Sequence, residues 1–382
     1  MDTAVNGHLM SRDAEVAVLR DGMVEPMVDA LLPLYFRQES ATLDEWLKMR
    51  SIDTGRANSR LLRKSLGLSD ASTEELVLSV NAAMITDTYW IRPEGSTLAW
   101  ADIRFEQNSY ASMSLLGSFS DFNQPGSRTP ELTSPGSFEK CWRLEDGRWW
   151  LYKLSDLDNL YSELAAYQLC RHFGYATAHY EAADISAHGF IGKLKPGRGV
   201  IRTLDFTDGA SVNFEPAAAI GLKSDDSAYN YKTLLAMAPA LAAEYLDIVT
   251  MDTLIYNLDR HTQNFGILRD VDTGTILSMA PNFDNNLALL AGIRGMTTRT
   301  PESDRLFQGW KQLVQSNLLE ISLPLLDEQT LRGILFGIEG IVDEGGKQIA
   351  FDFIRQGYAM MQEVAQQMER FHHPGGTAMQ MP

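Results

Sequence analysis

The chain has 382 residues, 45% hydrophobic and 22% charged, with a net charge of −17 and two cysteines. No run approaches the ~18 apolar residues of a membrane span. The opening MDTAVNGHLMSRDAEV is not a secretory signal, and so acidic a chain is repelled by nucleic-acid backbones. Cys141 and Cys170 exclude a disulfide framework and sit in no metal-ligand spacing, so a reducing, cytoplasmic setting fits best.

Length predicts two or three domains or one two-lobed unit. Residues 14–34 read as a strand, a turn at Asp21-Gly22 and a second extended segment. Residues 40–90 read as helical. Ser72 or Thr73 caps one helix, with Glu74 and Glu75 in its first turn. Arg50, Arg56, Arg60, Arg63 and Lys64 recur at helical spacing and are expected on a solvated helix face. Residues 117–137 have loop composition.

A hairpin follows, KCWRLEDGRWWLYKL, turning at Asp146-Gly147. On its second arm Trp149, Leu151 and Lys153 share one face, and Trp150, Tyr152 and Leu154 the other. Trp142, Trp149 and Trp150 are expected to pack in the core and sheet rather than form a ligand cage. The next helix carries Leu157, Leu160, Leu164 and Tyr167 at helical spacing and ends at Gly174. Residues 180–206 are strand-like, and 240–256 form a helix. The stretch NLDRHTQNFGIL comes next, then a hairpin turning near Gly274, then PNFDNN. Helices over about 327–341 and 346–371 close the chain, before a tail expected to be disordered.

The order of parts is informative. Asp259 and Asn264 stand in D-x-x-x-x-N spacing after a helix, and Asp284 follows a hairpin. Upstream come a small-residue loop, TSPGSFEK, a strand lysine, Lys153, and a helix glutamate, Glu163. Each is weak alone: a lone strand lysine usually snorkels, and a lone Asp usually caps or turns. Together they follow the order of a protein kinase. There an Asp meets the nucleophile's hydroxyl, while an Asn and a second Asp supply oxygens to magnesium. A carboxylate at Glu163, on a mostly apolar helix, wants a cation, and Lys153 is the obvious one.

NLDRHTQNFGIL … MAPNFDNN resembles the HipA-like kinase family, and LTSPGSFEKCWR resembles that family's phosphate loop. The similarity runs from about residue 115 to 370. It implies an α+β, two-lobed protein-kinase-like fold, with a β-rich N-lobe, an extra N-terminal segment and a mostly helical C-lobe. Residues 1–110 would be an N-terminal extension packed on the N-lobe. The N-lobe would span 111–206 and the C-lobe 207–372, with a disordered tail over 373–382. The implied activity is ATP- and Mg2+-dependent phosphorylation of Ser or Thr on proteins, and several members are bacterial toxins. Asp259 would be the catalytic Asp, Asn264 and Asp284 would hold Mg2+, and Lys153 would meet the ATP phosphates, with Glu163 as its helix partner. Residues 133–137, including Thr133, Ser134, Gly136 and Ser137, would cover the phosphates, and the three hydroxyl residues are candidates for autophosphorylation. Backbone groups near Leu204, Asp205 and Phe206, in VIRTLDFTDG, would meet adenine. His261 would order the catalytic loop rather than transfer a proton. Partners would be a protein substrate and a small antitoxin-like protein, with any DNA contact made through that partner and none with membrane.

Two departures stand out. DNN replaces the Asp-Phe-Gly of ordinary kinases, and the phosphate loop holds Pro135 and a single glycine, Gly136, which stiffens it. DRHTQN also matches the Asp-Arg-His-x-x-Asn of phosphoinositide kinases, which leaves a small-molecule or lipid kinase as an alternative. A nucleotide-binding pseudokinase acting as a regulatory module is another, opposed by the intact Lys153, Asp259, Asn264 and Asp284.

Overall fold

A computed structural model describes residues 5–119, 128–294 and 299–373. Part of the expected loop over 117–137, residues 120–127, lies outside the described residues, as does the expected tail apart from His373. The chain forms two compact units, each assembled from three chain segments. Among the described residues no helix is long and apolar enough to cross a membrane.

The first unit comprises Met1–Asp156, Ala178–Leu222 and Thr262–Pro281. It begins with β1 (Gly7–Ser11), β2 (Ala14–Arg20) and β3 (Met23–Pro26), then α1 (Leu43–Arg50), α2 (Ser59–Ser65) and α3 (Thr73–Leu78). β4 (Tyr89–Pro93), α4 (Trp100–Ile103) and α5 (Ala111–Leu116) follow. The first four strands make an antiparallel sheet in the order β3-β2-β1-β4. Asp21 and Gly22 turn β2 into β3, both with positive φ. Ser72 caps α3: its hydroxyl accepts from the Glu75 amide, and the Glu75 carboxylate accepts from the Ser72 amide.

A second antiparallel sheet, β5-β6-β8-β7, is built from β5 (Lys140–Glu145), β6 (Arg148–Asp156), β7 (Tyr180–Ala183) and β8 (Arg198–Leu204). Asp146 and Gly147 turn β5 into β6 at positive φ. The two faces of β6 divide as its alternation requires. Trp150, Tyr152 and Leu154 pack with Cys141, Phe190 and Val200, while Trp149 and Leu151 pack with Ile85 and Trp142. All three tryptophans are buried. The third sheet, β11-β10-β9, contains β9 (Val212–Pro216), β10 (Gly266–Asp270) and β11 (Ile276–Met279). Buried Glu215 on β9 pairs with Arg269 on β10 and accepts from the Tyr89 hydroxyl (2.9 Å) and the Leu34 amide (2.6 Å). That network binds β10 to the N-terminal hundred residues.

The basic residues expected on one solvated helix face are placed otherwise. α1 ends at Arg50 and α2 begins only at Ser59, so Arg50 and Arg56 belong to no common helix face. Both are buried. Arg50 forms a forked pair with Asp87, both bonds 2.8 Å, and Arg56 reaches the carbonyl of Ser134. Burial of these cations is set by distant acceptors that helical spacing cannot reveal.

The second unit comprises Leu157–Thr177, Lys223–His261 and Asn282–Pro382. Among the described residues its regular elements are helices: α6 (Leu157–Phe173), α7 (Ser227–Met237), α8 (Pro239–Ile255), α9 (Leu290–Ile293), α10 (Arg305–Ser316), α11 (Glu328–Phe336) and α12 (Glu344–His372). α6 is buried almost all round and stops at Gly174, whose φ is +73°. α8 starts with Pro239 at its first turn. α10 buries Phe307, Trp310, Leu313 and Val314, one stripe at helical period. Arg299 fixes the end of α8: fully buried, it pairs with Asp304 (2.7 Å) and donates to the carbonyls of Thr253 and Leu254. Its guanidinium lies 4.2 Å from the Phe353 ring, where a Cβ on Gly357 would collide with it.

Candidate active site

Four of the expected residues, Glu163, Asp259, His261 and Asp284, fall in the helical unit, and the others in the β-rich unit. In the helical unit the geometry is closely tied. α8 ends with Tyr256 in the left-handed region, and the chain turns through Asn257 into Asp259. The side chain of buried Asn257 accepts from the Asp259 amide (3.2 Å) and donates to Asp252 (3.1 Å) and Asn285 (3.3 Å).

Arg260 is the hub. Its fork grips the Asp252 carboxylate with bonds of 2.9 and 2.8 Å. It donates further to the Phe283 carbonyl (2.6 Å), the Asn282 side chain (3.1 Å) and the Asn285 side chain (2.8 Å). Burial opposes its charge, but Asp252, Asp284 and Glu163 outweigh that and raise its pKa above the usual guanidinium value.

Asp284 itself has φ +61°, an uncommon conformation for a residue with a Cβ. Both of its neighbours are held: Arg260 takes the Phe283 carbonyl, and the Asn285 amide donates to Glu163 Oε1 at 2.9 Å. Glu163, fully buried on α6, therefore anchors the backbone beside Asp284. Burial raises the pKa of Asp259, and the charge of Asp284 raises it further, while His261 and Arg260 pull it back. The His261 amide donates to the Asp259 carbonyl at 2.9 Å.

In the β-rich unit Lys153 is buried on β6, opposite Lys140 on β5 and Ile201 on β8. The 133–137 loop enters through a 3₁₀ turn over Pro130–Thr133. Thr133 is buried and its hydroxyl donates to the Ala83 carbonyl (2.6 Å); Ser134 is buried too. Gly136 and Ser137 form the exposed tip. Gly136 has φ +105°, and a Cβ there would run into the Lys140 ammonium, so this position requires glycine. Lys140 donates to the Pro135 carbonyl at 2.6 Å.

At the end of β8 the Leu204 amide donates to the His179 carbonyl (3.1 Å) and the Asp205 amide to the Trp149 carbonyl (2.9 Å), so both donors are committed to backbone partners. The Asp205 carboxylate closes the following turn on the amides of Thr207 and Gly209. Burial raises its pKa. Phe206 stacks edge-on against Phe214, 5.5 Å between centroids. Asn264 is buried two residues before β10.

Asp252, Asn257, Arg260 and Asn285 carry the network and were not singled out by sequence. One signal was available: Asp252 interrupts the apolar MDTLIY end of α8, and a buried carboxylate there demands a cation close by.

No family model matches the chain, and no curated protein matches it. Solved structures do. HipA of Shewanella oneidensis MR-1, determined with HipB and operator DNA, aligns with a TM-score of 0.56 at 11% identity, over 94% of this chain and 99% of that one. The proinflammatory kinase CtkA of Helicobacter pylori aligns at 0.44 and 15% identity, over 61% of this chain and 95% of that one. The chain thus has the HipA-like, kinase-like α+β fold, with a β-rich and a helical unit.

Proposed function

We propose that the chain is an ATP- and Mg2+-dependent kinase that transfers the γ-phosphate to a Ser or Thr hydroxyl of a protein. The observation that carries this reading is the Arg260 network, which ties the turn bearing Asp259 to the residues flanking Asp284. A purely structural loop has no need to hold two carboxylates together, one of them on a residue at positive φ.

Asp259 orients the attacking hydroxyl and takes its proton as the new O–P bond forms and the bond to the β-phosphate oxygen breaks. Its raised pKa brings it nearer the range of a working base. Lys153 supplies positive charge to the phosphates, and Gly136 and Ser137 cover them. Asn264 and Asp284 supply oxygens for Mg2+. Among the described residues no group of three or more His, Cys, Asp or Glu side chains is arranged as a metal cage. A donor set of one amide and one carboxylate suits Mg2+, which keeps waters and phosphate oxygens in its shell. When bound, Mg2+ neutralises charge on the transferring phosphoryl group. His261 orders the loop.

The HipA neighbour was solved with HipB and DNA. We propose by analogy that an antitoxin-like protein binds this chain, and that its net charge of −17 leaves any DNA contact to that partner.

Calorimetry with ATP tests the nucleotide site. Binding is expected in Mg2+, to be weakened by chelator and by Asp284→Ala. Binding indifferent to both would remove the metal site from the account.

A further inference from the structure

The N-terminal extension contributes to the proposed nucleotide site through one buried cation, an inference that rests on the kinase reading above. Arg56 lies in the turn between α1 and α2 and is 3% exposed. Its Nη2 donates to the Ser134 carbonyl at 2.9 Å and, at 3.4 Å, to that of Glu131. Its Nε and Nη1 are buried with no hydrogen-bond partner. The Glu131 carboxylate does not supply one. Its Oε1 accepts from Asn108 (2.7 Å) and the Trp142 amide (2.8 Å), and its Oε2 from the Ser114 hydroxyl (2.8 Å).

Burying a guanidinium with two unused donors is costly. Burial opposes the charge, and the nearby buried Glu131 carboxylate offsets part of that cost without taking a hydrogen bond from Arg56.

The loop shows where that charge acts. Pro135 has no N–H, so the Ser134–Pro135 peptide can offer a phosphate nothing but the negative end of its carbonyl. Arg56 takes that carbonyl. Lys140 takes the next one, Pro135, at 2.6 Å. The chain has no cis peptide among the described residues, so the Gly136 N–H points opposite to the Pro135 carbonyl, away from Lys140. The loop is also laid on the extension by two further bonds, Ile52 amide to Leu132 carbonyl (2.9 Å) and Thr133 hydroxyl to Ala83 carbonyl (2.6 Å).

We infer that Arg56 is a positioning residue for nucleotide phosphates: it withdraws the Ser134 carbonyl that the proline would otherwise leave facing them, and it fixes the loop's shape. Arg56 touches no phosphate itself.

The test is equilibrium binding of ATP and of adenosine, in Mg2+, to the full chain and to Arg56→Gln and Arg56→Lys. Loss of one charge-assisted hydrogen bond predicts that Arg56→Gln weakens ATP by at least about tenfold. Adenosine, which lacks phosphates, should bind all three proteins alike, and Arg56→Lys should recover part of the ATP affinity. Should Arg56→Gln fail to fold, Arg56→Lys carries the test, with ATP weakened and adenosine not. ATP affinity unchanged, or ATP and adenosine weakened together, would overturn the inference while leaving the kinase reading intact. A native chain that binds no ATP would overturn both.

Discussion

Replacing Arg260 by Met tests whether the Asp259 turn and the Asp284 segment are held by one group. Arg260 and Asp252 expose only 10% and 8% of their side chains, and the pair is forked. Removing one partner of such a pair leaves a buried, uncompensated charge and typically costs about 3–5 kcal/mol. The bonds to the Phe283 carbonyl and to the Asn282 and Asn285 side chains are lost as well. Each contributes on the order of 1 kcal/mol or more, since the donor is charged. Arg260→Met should therefore lower the unfolding free energy by at least about 3–5 kcal/mol, measured by urea denaturation. Asp252→Leu added to it removes the stranded carboxylate, so the double variant should lie closer to the native chain than Arg260→Met does. Phosphoryl transfer should stay low even so, because the Phe283 carbonyl is still unheld. A loss below ~1 kcal/mol, the size of an ordinary surface change, would mean that Arg260 does not hold the two segments. So would strict additivity of the two substitutions, since groups in contact should couple.

Gly136→Ala meets both a positive φ and the Lys140 ammonium, so it should distort the loop tip; ATP affinity should fall severalfold by calorimetry, with little change in the unfolding midpoint. Asp247 on α8 gives a pH test. Burial, aided by the charge of Glu244, pushes its pKa up to about 6 from the ordinary 3.8. Between those values the folded chain holds a proton that the unfolded chain has released, so stability from this group falls as pH rises from about 4 through 6. Asp247→Asn should therefore be more stable than the native chain at pH 7.5, by about 1–2 kcal/mol after allowance for partial exposure, and show no such gain at pH 4. An equal difference at both pH values in urea melts would exclude this titration as the cause.

Local chemistry made much of the fold legible. Asp146-Gly147 announces the β5–β6 hairpin that carries Lys153, and the Ser72/Glu75 pair announces α3. Apolar period marks α6 and α8, whose ends at Gly174 and Tyr256 are set by left-handed residues. The two closing helices were also legible, although α11 stops at Phe336, earlier than its pattern predicts. The stripe of Phe307, Trp310, Leu313 and Val314 is an equally plain signal for α10. What sequence hides is the reach of long cations. Arg50, Arg56 and Arg260 look like surface charges in a window of ten residues. Arg50 and Arg56 find acceptors 37 and 78 positions away, at Asp87 and Ser134, and Arg260 adds to its near partner Asp252, 8 positions upstream, the Phe283 carbonyl 23 positions on. Only tertiary folding brings such partners together, so local periodicity cannot report them.

Phosphoryl transfer is measured most directly by following label from γ-labelled ATP in Mg2+, with the native chain and Asp259→Ala side by side. With the native chain, label should appear on the chain itself or on a lysate protein, and at least about a hundredfold less with the variant, as removal of a proton-accepting carboxylate should give. Equal labelling by both proteins would contradict the role of Asp259, and no labelling together with no ATP binding would contradict the kinase reading itself.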